Sequence, residues 1–268
     1  MKQKQHIMQT VIVPIDFTET SYNAAEYAVQ LLTGHYGVNM ILYHIYEKAS
    51  EEAGALVRLE EVNQVLRTKG IVKTELMARQ GTDFVDELEK LVRHRMADLV
   101  IMGITERSAL GQVLIGSNAL KYLETNASPV LIVPQDAKYK NVKNVMLASD
   151  FKNTKETTPS VPIKKILQTF EPNFFVLNVD SSHYVSITEE YQAEKQVLAQ
   201  MFQEFKPEFF FMGMNDVQAG IQQFATDKNI DFIIVVHREQ NLFDKFFSKS
   251  NTKQLAYQSH IPILALKE

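Results

Sequence analysis

LVIMGITERSALGQVLIGSN, residues 99–118, is the stretch on which the fold turns. Leu99 to Met102 is a short apolar run with β-branched members, the composition of a strand buried on both faces of a parallel sheet. Gly103 closes it. A glycine at the carboxyl end of such a strand permits positive φ and close approach of a ligand to the backbone. Ligands of open α/β sheets bind at that edge. Gly116 and Ser117 then precede a helical stretch, Asn118 to Asn126, whose first N–H groups would point at an anion.

Outward from this stretch, strands and helices alternate. VIVPID (11–16) reads as the first strand, and Thr18 or Thr20 as cap of the helix after it. MILYHIY (40–46) is the second strand. Leu56, Leu59, Val62 and Leu66 give the charged segment 50–69 an inward helical face. IVKTELMAR (71–79) alternates as a third strand, and Gly81-Thr82 opens a helix with Val85, Leu88, Leu91 and Val92 inward. ASPVLIVP (127–134) supplies a fifth strand. The order βαβαβαβαβ predicts a parallel, doubly wound sheet.

After a polar linker, QDAKYKNVKN (135–144), the pattern restarts. NVMLASDF (144–151) echoes TVIVPIDF (10–17), and HIPILAL (260–266) echoes SPVLIVP. Ser117 to Pro129 and Ser250 to Pro262 have the same spacing. The chain therefore reads as two copies of one domain, residues 1–137 and 138–268. Pro159 and Pro162 are expected to shorten the first helix of the second copy.

Composition excludes several classes. There is no cysteine, hence no disulfide, thiolate metal site or cysteine nucleophile. The net charge of −4 lies wholly in residues 1–137, and neither half has the basic excess of a general nucleic-acid binder. No run has the length of a membrane-spanning helix, and MKQKQHIMQT lacks the apolar core of a signal peptide, so a cytoplasmic location is expected by default. GQVLIGS (111–117) approaches a P-loop but lacks its lysine, and the seven histidines show no H-E-x-x-H spacing.

The glycine stretch resembles the nucleotide motif of the universal stress proteins: glycine, two residues, glycine, nine residues, glycine, then serine or threonine. Gly103, Gly116 and Ser117 fall on it, while Glu106 stands at the second glycine. The flanks agree, from VIVPIDFTETSYNAAEYAVQLL (11–32) to ADLVIMG (97–103) and ASPVLIVP. The resemblance implies two tandem, open-sheet parallel α/β domains, Rossmann-like and similar to the adenine nucleotide alpha hydrolases. It also implies pairing of the two halves through their fifth strands, Val130–Val133 and Ile263–Leu266, leaves room for a homodimer, and points to a regulatory role in the stress response.

By the same resemblance an adenine nucleotide, ATP or a relative with Mg²⁺, would contact Pro14, Ile15 and Asp16 at the end of the first strand and Ile45 at the end of the second. Met102 and Gly103 would close the adenine wall, and Gly116, Ser117 and Asn118 would meet the phosphates. Glu106 argues against it: at about 4 Å two unit charges repel by roughly 1 kcal/mol in water and roughly 4 kcal/mol near a protein surface. Asp16 has a plain alternative as a turn or cap carboxylate, and His44 reads as a packed strand histidine. In the second half Val236, Glu239 and Lys249 replace the three glycines, so a phosphate cradle is not expected. Asp150 survives at the position of Asp16, where turn chemistry alone explains it. Phe243, Phe246 and Phe247, with Lys245 and Lys249 beside them, pack under the loop or form a contact surface. Three functions follow: a nucleotide-binding regulatory module with at most slow ATP hydrolysis, a slow ATPase proper with Asp16 or Glu106 as its weak candidates, or a protein-interaction scaffold without a small ligand.

Overall fold

The computed structural model describes residues 8–104, 117–181, 188–238 and 260–268. Glu106, Arg107, Gly116 and the side chain of Ser117 lie outside the described residues, as do Glu239, Phe243, Lys245, Phe246, Phe247, Lys249 and Ser250. Two compact units emerge, one from Met8–Tyr139 and one that begins at Lys140 and ends with Ile263–Glu268.

In the amino-terminal unit the elements are β1 (Thr10–Pro14), α1 (Glu19–Leu32), β2 (Asn39–Tyr46), α2 (Glu52–Arg67), β3 (Lys73–Gln80), α3 (Phe84–Arg95), β4 (Leu99–Ile104), α4 (Ser117–Glu124) and β5 (Val130–Pro134). The strands form a parallel sheet in the order β3-β2-β1-β4-β5. Apolar β-branched runs are what a central parallel strand needs, and Val11, Ile12 and Val13 are fully buried accordingly. α1 packs across β4 and β5, α2 along β2 and β3, and α3 against α4. None of the helices among the described residues is long and apolar enough to cross a membrane.

α2 turns Leu59 and Leu66 inward as expected, whereas Leu56 is exposed and Val62 only half-buried. Its other buried residues are Ala55 and Asn63, and Val57 and Val65 are exposed. The Asn63 Nδ2 reaches Glu60 Oε2 at 3.3 Å.

The carboxy-terminal unit repeats the plan with β6 (Asn144–Ala148), α5 (Thr154–Thr157), α6 (Ser160–Phe170), β7 (Asn173–Val179), α7 (Glu189–Met201), β8 (Glu208–Met212), α8 (Val217–Asp227), β9 (Phe232–His237) and β10 (Ile263–Lys267). Its parallel order is β8-β7-β6-β9-β10. Pro159 caps α6 and Pro162 sits in its first turn, where a missing N–H costs nothing, so the first helix of this unit is split in two.

The duplication extends to single hydrogen bonds. Asp98 Oδ2 accepts from the amides of Gln9 and Thr10, and Asp231 Oδ2 from those of Lys143 and Asn144. His44 Nδ1 lies 2.7 Å from the Ile15 carbonyl, and Asn178 Nδ2 donates to the Ser149 carbonyl at 2.8 Å. Phe17 and Phe151 follow matching aspartates at φ of 64° and 54°, a left-handed conformation that bulky residues rarely take.

Candidate functional site

The carboxyl ends of β1, β2 and β4 meet at one edge of the amino-terminal sheet. Pro14 ends β1 level with Tyr43 of β2, and the Ile15 amide donates to the Tyr43 carbonyl at 2.7 Å. Pro14 and Ile15 are buried, and the chain emerges into solvent at Asp16.

Asp16 organises the start of α1. Its Oδ1 accepts from the Thr18 hydroxyl at 2.6 Å and the Thr18 amide at 3.0 Å. Thr18 in turn caps α1, its hydroxyl accepting from the Ser21 amide at 3.3 Å. Partial burial pushes the Asp16 carboxyl up, but the hydrogen bonds from Thr18 and Ser21 together outweigh it and hold the pKa below the ordinary 3.8. The carboxylate is thus ionised at neutral pH, and both bonds from Thr18 go to Oδ1. The turn-and-cap role is present, and Thr18 takes one oxygen of two.

Phe17, which the sequence reading passed over, stands between a cation and a histidine. The Arg58 guanidinium of α2 lies 3.7 Å from the centre of its ring, and the His44 ring lies 4.5 Å away on centroids. His44 is a packed strand histidine, as expected: with Nδ1 on the Ile15 carbonyl it donates from that nitrogen. The available signal was the repetition of Phe after Asp in both halves, IDF and SDF.

Side chains alternate along a strand, so Ile45 points to the face opposite His44. Its Cγ2 lies 3.5 Å from where a β carbon of Gly81 would be. Ile45 is therefore not brought together with the Asp16–Phe17–His44 group through its side chain. Met102 and Gly103 pair with Ile132 and Val133 at the end of β4.

Gly103 also makes room for a helix. Its φ is not in the positive range, and the backbone that approaches it is that of α1. A β carbon at Gly103 would overlap the carbonyl oxygen of Thr20 and stand 2.7 Å from the Thr20 carbonyl carbon. This glycine lets α1 start directly over the end of β4, which is what carries Asp16 and Thr18 to the sheet edge. Asn118, in the first turn of α4, is exposed.

In the carboxy-terminal unit the corresponding edge is closed by an ion pair. Arg238 Nη1 lies 3.1 Å from Asp150 Oδ1 and 3.3 Å from Oδ2. The remaining cleft is small and is lined by Ala148, Ser149, Asp150, Thr158, Val236 and Arg238, among others. Turn chemistry alone therefore does not account for Asp150, although its Oδ1 also accepts from the Lys152 amide at 3.2 Å.

Among known proteins, residues 8–134 match the model of the universal stress protein family. A universal stress protein of Methanocaldococcus jannaschii is 21% identical over 151 residues, covering 52% of this chain and 89% of the relative. One of Thermus aquaticus is 26% identical over 137 residues, covering 47% of this chain and 99% of the relative. The crystal structure of a universal stress protein from Archaeoglobus fulgidus matches the fold of the whole chain, with a TM-score of 0.68, 17% identity and 99% of both chains covered. Sequence match and strand order agree: residues 8–134 form a domain of the universal stress protein family.

Proposed function

We propose that the chain is a cytoplasmic regulatory module of the stress response whose amino-terminal cleft binds an adenine nucleotide, ATP or a relative carried with Mg²⁺. The observation that carries the reading is the state of Asp16: ionised, exposed at the carboxyl edge of the sheet, and fixed by Thr18 through only one of its two oxygens. A pair of ribose hydroxyls can donate to the other. The buried Pro14 and Ile15 and the end of β4 at Met102 offer apolar surface for a base beside it. The Gly116–Asn118 segment completes the proposal as the phosphate contact, by the spacing of its motif.

Mass spectrometry of small molecules released from freshly purified, denatured protein tests it, followed by titration with Mg-ATP and AMP. Wild type is expected to bind, and Asp16→Ala to bind at least tenfold more weakly. Glu106→Gly is expected to strengthen Mg-ATP binding by about one to three decades, the charge repulsion converted to affinity. No released nucleotide together with no titration signal sinks the proposal. The scaffold reading draws support from a different feature, the exposed Leu56, Val57 and Val65 of α2. It predicts an empty cleft and partner binding that is lost on replacing these three by serine.

A further inference from the structure

The two units place equivalent residues at equal register. Pro14 pairs with Tyr43 and Ala148 with Leu177, while Gly103 pairs with Val133 and Val236 with Leu266. The amide after each first strand makes the same bond, Ile15 to the Tyr43 carbonyl at 2.7 Å and Ser149 to the Leu177 carbonyl at 3.0 Å. Asp150 therefore stands where Asp16 does, and Val236 where Gly103 does.

That single exchange has a steric consequence. At Gly103 the absent β carbon is what admits the backbone of α1. Val236 brings a buried isopropyl group to the same register, so an α1-like approach is excluded. The helix that follows β6 is only Thr154–Thr157, and the chain breaks at Pro159 before α6. Into the space between the end of β6, the short α5 and the end of β9 comes the side chain two residues beyond Val236.

That side chain is Arg238, and each of its three guanidinium nitrogens has a partner inside the unit. Nη1 reaches both Asp150 oxygens and the Lys152 carbonyl at 3.3 Å. Nη2 donates to the Thr157 hydroxyl, and Nε lies 3.3 Å from Glu268 Oε2. The guanidinium is planar and spreads its donors, so that one nitrogen takes the Asp150 carboxylate while the other two reach Thr157 and Glu268. The Arg238 side chain is 11% exposed and that of Asp150 18%. Asp16, by contrast, is exposed, and its carboxylate is held by the Thr18 hydroxyl and amide rather than by a cation among the described residues.

We propose that Arg238 is a built-in occupant of the carboxy-terminal cleft. It takes the carboxylate that an external ligand's hydroxyls would need, so that this edge is occupied from within the unit. The inference concerns the second unit and holds whether or not the first binds a nucleotide.

The absence of cysteine makes a direct test simple, because one introduced thiol is the only one in the molecule. Ala148 lines the cleft and is 4% exposed. Ala148→Cys is labelled with a small methanethiosulfonate reagent in two backgrounds, with Arg238 intact and with Arg238→Ala. Ser149→Cys serves if Ala148→Cys does not fold. A reference thiol at fully buried Leu167, placed in the same two backgrounds, reports general loosening of the unit. The expected result is labelling at least tenfold faster in the Arg238→Ala background for the cleft thiol, with the reference rate unchanged. Equal cleft rates in the two backgrounds overturn the proposal, and so does parallel acceleration of the Leu167→Cys reference. No nucleotide enters the experiment, so a failure here is distinct from a failure of the nucleotide reading.

Discussion

The carbonyl of Thr20 rests against Gly103, at a distance that leaves no room for a β carbon. This contact, between a helix start and a strand end 83 residues apart, sets where the Asp16 loop lies. Gly103→Ala must push either α1 or β4, and both are buried. The expected cost is about 1–3 kcal/mol, the range for overpacking a well-filled core. Urea denaturation of the variant measures it. A variant as stable as wild type would show that α1 yields freely, and the stated role of Gly103 would be wrong.

Thr18 holds the cap of α1 and the charge of Asp16 together. Thr18→Ala is expected to cost about 1 kcal/mol through the lost cap and to raise the Asp16 pKa toward its ordinary value. The sign follows from the depressed carboxyl: its contribution is present above the unfolded value near 3.8 and is lost as pH falls through the lower folded value. Carbon-13 titration of the Asp16 carboxyl in wild type and variant reads both midpoints. Coincident midpoints would remove Thr18 as the cause.

Phe17 and Phe151 share a backbone conformation but not an environment. Phe151 is 1% exposed and touches the rings of Tyr191, Phe209 and Phe211. Phe17 is half-buried under an exposed arginine. Phe151→Ala is expected to cost about 3–5 kcal/mol, and Phe17→Ala about 0.5–1 kcal/mol through the lost cation–π contact. Parallel denaturation curves decide, and equal losses would contradict the assignment.

Of the ten tyrosines, burial pushes Tyr43, Tyr122 and Tyr191 up to about 12. Alkaline ultraviolet titration should show these three ionising last. Because their folded values are raised, the stability they confer is full below the unfolded value near 10 and is lost as pH rises from there through 12. Tyr122→Phe should remove one late-titrating group, at a cost of about 1 kcal/mol for the lost bond to Ser128 Oγ. An unchanged late phase would show that another phenol carries it.

The strand pattern was legible in the sequence because each central strand is a β-branched apolar run, and the duplication because IDF and SDF recur at the same place in it. The face of α2 was legible at Leu59 and Leu66 and not at the positions between. Ala55 and Asn63 occupy buried positions that a reading by hydrophobicity gives to Leu56 and Val62. The site was legible at Asp16 and Thr18, which interact within two residues. Arg238 meets Asp150 across 88 residues, and Gly103 meets Thr20 through a missing atom; neither relation leaves a local trace.

The left-handed turn at Phe17 recurs at Phe151, although the aspartate before one meets Thr18 and the aspartate before the other meets Arg238. A shape that persists beside two different partners is moulded by the chain itself. The entropy of ordering that turn is already spent in folding, so a ligand held there would be bound through contacts rather than through rearrangement.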